Sequence, residues 1–348
     1  MWAAPVEGRR VEEEVGLSEV RFGVIGCGSM GAYLARQVGK VGPAARVVAT
    51  CDIVGEKCVQ LGEELGATPV ECHEDVLKMD EVDAVIVATP NHLHHPHTID
   101  AARAGKHVFS EKPMALTVAH CTDMIDACRT AGAKLMVGQV LRYIGIFPVI
   151  KKAVDAGDIG VPTAMFTARI QGPNWGSFSA TWRDCFETTG GILFEVNVHE
   201  LDFQRTILGD PIEVSAYGAD YVSVAQWDYE DMYFVNARYP GGKMSHLSAG
   251  GCAPPGVCHC RGTVYGSEGA LQFTTWDEAL LQRFGEEERT LKAEPGPDAY
   301  AQELGDFVTA VVEDCEPVIP GEEGRRSIAF AAAALESART GKPVKPEA

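Results

Sequence analysis

Three short constellations in this chain carry side chains able to do chemistry. Lys112 stands in Glu111-Lys112-Pro113, directly after an apolar stretch. An ammonium group held beside an alcohol oxygen stabilises the alkoxide that develops as hydride leaves the neighbouring carbon. His199 follows Gly190-Gly191 and has Glu195 and Asp202 around it at i, i+4 and i+7 spacing, so one continuous helix would put all three on one face. A neutral imidazole, with an ordinary pKa of about 6.5, takes up a hydroxyl proton at neutral pH. The third constellation, Gly26-Cys27-Gly28-Ser29-Met30-Gly31, is a G-x-G-x-x-G string, which has meaning only between a strand and a helix.

The surrounding sequence supplies that context. Residues 20–25 read as a buried strand and 30–39 have helical spacing, with Met30, Leu34 and Val38 on one side. Strands at 46–51, 82–88, 107–110 and 134–138 then alternate with helices at 55–65, 96–104 and 116–131, the pattern of a doubly wound parallel sheet. In that setting Gly26 permits the tight turn, Gly28 lets backbone approach a pyrophosphate, and Gly31 allows close helix packing. The helix N-terminus at Ser29 and Met30 favours the anion. Asp52, followed by Ile53, ends the second strand, where a carboxylate accepts hydrogen bonds from the adenosine ribose and repels a 2′-phosphate. No arginine occurs in Ile53-Val54-Gly55, so NAD is expected over NADP.

Thr89-Pro90-Asn91-His92-Leu93-His94-His95-Pro96-His97 places four histidines at the carboxyl end of a strand. Without a carboxylate or cysteine among them, they read as a loop lining the ligand crevice of an open sheet, and no metal site is expected. Cys252, Cys258, His259 and Cys260 have no zinc-finger spacing, and on a strand His259 points away from its neighbours.

After residue 141 the rhythm changes. A helix at 147–156, a strand at 161–170 and a helix at 192–208 precede strands at 212–221, 231–239, 243–249, 258–265 and 270–274, with helices at 299–313 and 322–340. Pro240-Gly241-Gly242 is a hairpin signal, and the whole suggests an α+β domain with a largely antiparallel sheet. The expected organisation is a mobile acidic extension (1–18), an α/β NAD-binding Rossmann domain (19–141), and an α+β domain for substrate binding and oligomerisation (142–348). Arg169, Trp175, Trp182 and Arg183 lie near the loop before the helix carrying His199. Aromatic faces and arginines suit a sugar, and the same residues could pack a loop against a sheet. Arg142 and Tyr143 are weaker candidates of the same kind.

Order and content of the motifs give a more specific identification. G-C-G-S-M-G, A-T-P-N-H-L-H, A-G-K-H-V-F-S-E-K-P and G-G-I-L-F-E-V-N-V-H-E-L-D follow one another as in the glucose-fructose oxidoreductase, inositol dehydrogenase and rhizopine-catabolism (Gfo/Idh/MocA) family, which the chain resembles from residue 19 onward. The resemblance implies that Asn91, His94, Glu111, Lys112 and Pro113 line the nicotinamide, that His199 is the acid/base, and that the second-domain sheet pairs face to face in a homo-oligomer. A proline in such a turn is also expected to follow a cis bond. The family pattern has aspartate four residues before the histidine. Here it is Glu195, one methylene longer, which weakens an inositol-dehydrogenase reading in particular.

The expected activity is therefore NAD-dependent hydride transfer from a ring secondary alcohol of a sugar, sugar derivative or cyclitol. Lys112 and His199 would be catalytic, with Glu195 orienting. Two alternatives are an enzyme that retains NAD and oxidises a sugar only transiently, and a non-catalytic NAD or sugar sensor. The remaining composition is compatible. Forty-nine acidic against 30 basic residues give a net charge of -19 without a basic patch, Arg325-Arg326 being a lone doublet, which argues against nucleic acid and anionic membranes. No apolar run is long enough to span a bilayer, residues 1–18 do not resemble a secretion signal, and the 11 cysteines suit a reducing, cytoplasmic setting.

Overall fold

The computed structural model describes residues 18–172, 181–221, 227–253 and 259–347. Trp175, Cys258 and nearly all of the expected extension lie outside them. The first half runs β1 (Val20–Ile25), α1 (Ser29–Val41), β2 (Ala45–Cys51), α2 (Gly55–Leu65), β3 (Thr68–Val70), α3 (His73–Lys78), β4 (Ala84–Val87), α4 (His94–Arg103), β5 (His107–Glu111), α5 (Val118–Ala131) and β6 (Leu135–Gly138). Its strands form one sheet in the order β3-β2-β1-β4-β5-β6, every pair parallel. Parallel strands are covered on both faces, which is why Ala84-Val85-Ile86-Val87 is apolar throughout and buried throughout.

The sequence reading missed β3 and α3. Three residues with a proline at the centre give almost no strand signal, and Pro69 is tolerated because β3 is an edge strand. Two glycines of the fingerprint are fixed by contact with the chain itself. Gly26 has φ of +96°, and a Cβ on Gly31 would stand 1.8 Å from the Gly26 carbonyl oxygen, so α1 could not approach β1 with any other residue there.

The second half contains α6 (Ile146–Asp155), β7 (Pro162–Ile170), α7 (Phe186–Thr189), α8 (Ile192–Glu195), α9 (Val198–Leu208), β8 (Glu213–Ala219), β9 (Met232–Arg238), β10 (Met244–Gly250), β11 (His259–Gly266), β12 (Gly269–Phe273), β13 (Glu278–Arg283) and β14 (Arg289–Lys292), then α10 (Ala299–Val312) and α11 (Gly321–Thr340). Eight strands form the second sheet in the order β14-β13-β12-β11-β7-β10-β9-β8. All neighbours are antiparallel except β7 and β10. The expected hairpin joins β9 to β10, with Gly241 and Gly242 both at positive φ.

The two halves share a core. Phe307 of α10 packs against Phe22 of β1 and Phe109 of β5, with ring centroids 5.9 and 5.8 Å apart. Burying one such ring contributes roughly 1.5–3 kcal/mol. Beyond α10, the Ile319 carbonyl accepts from the Val137 N–H at 3.0 Å and extends the edge of the first sheet.

A correction concerns the expected helix 192–208, which is interrupted. Val196 (φ -113°, ψ -56°) and Asn197 (φ -87°, ψ 0°) separate α8 from α9. Glu195, His199 and Asp202 therefore do not share one face. The Asp202 carboxylate takes two bonds from Arg142 (2.7 and 2.8 Å) and one from Ser327 of α11 (2.8 Å), while Arg142 also reaches Glu323 at 2.8 Å. Tyr143 donates to Asp306 at 2.7 Å. Arg142 and Tyr143, considered above for substrate, are thus committed to joining α9, α10 and α11.

Candidate active site

A cleft of about 480 Å³ opens along the carboxyl ends of the first sheet, lined at one end by Gly26, Gly28, Ser29 and Met30 and at the other by Lys112, Trp182, Arg183 and Glu195. Gly28 is the informative glycine here. Its φ is -67° and nothing lies within 4 Å of a Cβ built on it, so no part of the chain requires glycine at this position. The open space beside it is the cleft, and a dinucleotide lying against the N-terminus of α1 fits it. Asp52 is oriented by two backbone donors, Cys27 N–H and Val54 N–H, both at 2.8 Å, and Ile53 beside it is fully exposed.

Asn91, His94 and Glu111 occupy the middle of the wall, with Thr89 and Pro90. The Asn91 amide donates to Glu195 Oε2 at 2.7 Å and to the Thr189 carbonyl at 3.0 Å, linking the loop after β4 to α8. His94 lies between two carbonyls, Nδ1 2.8 Å from Pro113 O and Nε2 2.9 Å from Thr89 O. A neutral ring can donate to only one of them; burial nevertheless prevails and lowers its pKa. The other histidines of the run go separate ways: His92 is exposed, His95 stacks on His120, and His97 lies against His73 with the two rings tilted by 53°. Among the described residues no group of three His, Cys, Asp or Glu is arranged to hold a metal ion.

Lys112 follows β5, and its bond to Pro113 is cis. Its Nζ donates to the main-chain oxygen of Glu195 at 2.8 Å. In a continuous helix that oxygen would accept from the N–H of residue 199, so the break between α8 and α9 makes it available to the lysine. The Glu195 carboxylate is paired on both oxygens, Oε1 with Arg183 Nε at 2.8 Å and Oε2 with Asn91. Burial alone would raise this carboxyl, but Lys112, Arg183 and the bond from Asn91 outweigh it and hold the pKa below its usual value.

His199 is 8% exposed, and its Nδ1 is buried without a hydrogen-bond partner. Burial first, then the neighbouring cations Lys112 and Arg169, push its pKa well below the ordinary histidine value, so the ring is neutral at physiological pH. It stands close to Lys112 but is not itself part of the cleft wall. Arg169 is also removed from the wall: it pairs with Glu200 at 3.2 Å and lies 5.5 Å from the centre of the Trp276 ring. Arg183 covers the Trp182 ring at 4.1 Å, and both face the cleft.

Sequence reasoning overlooked one part of the wall. Glu71 and Cys72, from the short β3–α3 connection, His73 at the start of α3, and Lys57 close the end near Asp52, beside His97 of the expected lining loop. Burial, aided by His73 and His94, takes His97 down to about 4. A turn signal at Gly66 and the two acidic residues opening α3 were the only traces of this unit in the sequence.

A sheet of this order with a glycine-walled cleft at its carboxyl ends is the architecture of a dinucleotide-binding domain. The chain belongs to the oxidoreductase family with an NAD-binding Rossmann fold, known as Gfo/Idh/MocA: its first model matches residues 20–139, and the model of its C-terminal alpha/beta domain matches residues 151–345. An inositol 2-dehydrogenase of Rhizobium meliloti is 30% identical over 91% of this chain and 96% of its own length. A 2,7-anhydro-N-acetylneuraminate hydratase of Escherichia coli is 32% identical over 66% of this chain and 62% of its own length. Among solved structures, an aldose-aldose oxidoreductase from Caulobacter crescentus complexed with glycerol superposes with a TM-score of 0.85 at 27% identity, covering 94% of this chain and 99% of that one. The expectation of a dehydrogenase acting on CH–OH donors is met at this level.

Proposed function

We propose that the protein oxidises a ring secondary alcohol of a sugar, sugar derivative or cyclitol, with NAD as the electron acceptor. The observation that carries this reading is the meeting of Lys112, from the end of β5, with Glu195, at the break between α8 and α9, in the cleft that begins at Gly28. Gly26, Gly28, Ser29 and Met30 would hold the pyrophosphate, with Gly31 closing the turn behind them. Asp52 and Ile53 would hold the adenosine ribose, and Thr89, Pro90, Asn91, His94, Glu111 and Lys112 the nicotinamide end. The Asp52 carboxylate favours NAD over NADP, since a 2′-phosphate beside it is repelled. Bound there, NAD supplies the site that accepts hydride.

The chain supplies the rest. Lys112 steadies negative charge on the substrate oxygen, and His199, kept neutral by burial and its cationic neighbours, accepts the hydroxyl proton. Glu195, ionised and held by Arg183 and Asn91, orients a second hydroxyl. Trp182 and Arg183 offer a ring face and a cation to the sugar, and Arg169 acts on His199. A spectrophotometric screen for NAD reduction by sugars, sugar acids, glycosides and inositols tests the reading. NADH should form with at least one of them and should not form with His199→Ala.

The hydratase relative and the aldose-aldose oxidoreductase neighbour favour one second reading: NAD stays bound and the sugar is oxidised only transiently. NAD that survives purification, with substrate turnover and no net NADH, would select it. Binding of NAD and sugar with no turnover of any panel member would instead identify a sensor. No helix among the described residues is long and apolar enough to cross a membrane. We place the protein in the cytoplasm as a homo-oligomer built on the open face of the eight-stranded sheet, where Phe234, Met244 and Tyr265 are exposed. Sedimentation tests that assembly.

A further inference from the structure

Two carboxyl groups are buried on elements that pack together, Glu111 at the end of β5 and Glu303 on α10. Glu111 is 5% exposed and lines the cleft, and its carboxylate accepts the Lys112 N–H at 3.1 Å. Glu303, on α10, is fully buried, and neither of its oxygens has a hydrogen-bond partner. Two of the donors around Glu303 are used elsewhere: Arg142 on Asp202 and Glu323, Tyr143 on Asp306. Two carboxylates cannot both ionise in so dry a place, because neither burial nor mutual repulsion is offset by a bond to Glu303.

We propose that Glu111 and Glu303 form a proton-storing pair coupled to the charge of the nicotinamide: the pair gives up one proton when the positively charged oxidised ring binds, and regains one when the ring becomes neutral. Glu303 is the member that stays protonated, and Glu111 the member that exchanges. The proposal rests on the NAD-dependent reading above.

The electrostatic surroundings agree with this geometry. Burial raises Glu111 to about 7, against the pull of Lys112 and its N–H, with Glu195 adding to the rise. Burial and the neighbouring Glu111 raise Glu303 well above the carboxylate range; Arg142 opposes, while Asp306 and Asp202 add to the rise. Tyr300, on the same helix, and Tyr143 also face Glu303, and both phenols are raised, by burial first. The titration belongs to the pair, and only its first proton comes off near neutrality.

The balance closes. The alcohol carbon gives hydride to the nicotinamide, the hydroxyl gives its proton to His199, and His199 returns one proton to solvent while the pair takes one up. Alcohol, oxidised cofactor and ionised pair become ketone, reduced cofactor and protonated pair, with no change in net charge.

Calorimetric titration of the full-length protein with NAD and with NADH, in two buffers of different ionisation enthalpy, counts the protons. At pH 7 a group titrating near 7 is about half ionised before binding, so NAD should release about half a proton and NADH should take up about half. Glu111→Gln should abolish the release. Glu303→Gln, which replaces a neutral acid by a neutral amide, should keep it, and should remove the infrared carbonyl band of a protonated carboxylic acid. Equal proton counts for the two cofactors, release that survives Glu111→Gln, or release lost in Glu303→Gln would each overturn the proposal. Binding of neither cofactor would overturn the NAD reading itself, and this proposal with it.

Discussion

Two groups of buried charges stand along the α8–α9 segment, and they are built differently. Around Asp202 every strong donor meets an acceptor: Arg142, Arg205, Ser327 and Glu323 form a closed set joining α9 to α11 and to the segment after β6. Around Lys112 the set is incomplete. Glu195 is fully paired, whereas His199 keeps a buried nitrogen without a partner beside two cations. A closed network supports architecture, and an incomplete one retains capacity for a ligand's atoms. The same chemical types do both, so completeness distinguishes them better than residue identity.

The contrast predicts that substitutions in the two groups separate activity from stability. The largest effect is expected at Lys112. Lys112→Ala should lower turnover roughly 10²- to 10⁴-fold while NAD affinity and Tm stay nearly unchanged, as read by steady-state kinetics and thermal unfolding. Unchanged turnover on a true substrate would remove Lys112 from the chemistry. Next comes Arg142→Met, which leaves Asp202 buried without its main partner. About 3 kcal/mol of stability or more should be lost in denaturant titration, with the activity of the remaining folded protein retained. A stable variant without activity would reverse the assignment of the two groups.

A smaller effect concerns pH. The neutral form of His199 is favoured in the fold, so the acid limb it sets in kcat/KM should lie well below the ordinary histidine value. Arg169→Gln, which removes one of the two cations, should move that limb upward; no movement would take Arg169 out of the environment of His199. The smallest effect is expected outside both groups. Arg36 and Glu64 form an exposed pair at 2.7 Å, and Arg36→Ala should change neither turnover nor Tm measurably. A clear loss there would mean that completeness is a poor guide.

The sequence exposed most of the fold, because its elements are long and regular in period. The order of strands and helices through β6 was legible apart from β3 and α3, whose few residues carry no period at all. The cofactor end of the cleft was legible for a related reason. Glycine is required by steric contact at Gly26 and Gly31, and such requirements are local. The substrate end was not local. Glu195, His199 and Asp202 have helical spacing, yet a two-residue break gives each a different surrounding, and the partners that decide this lie far away in sequence at Asn91, Lys112 and Arg142. Glu303 gave no signal, since a glutamate on an amphipathic helix ordinarily faces water.

The packing of Phe307 between Phe22 and Phe109 also bears on how the chain is made. A ribosome delivers both sheet rings long before the residue that covers them. The cofactor-binding half is therefore complete in sequence but not in substance until α10 emerges, and until then it presents aromatic surface to whatever is nearby. Synthesis stopped short of that helix yields a dinucleotide-binding domain with its core open on one side.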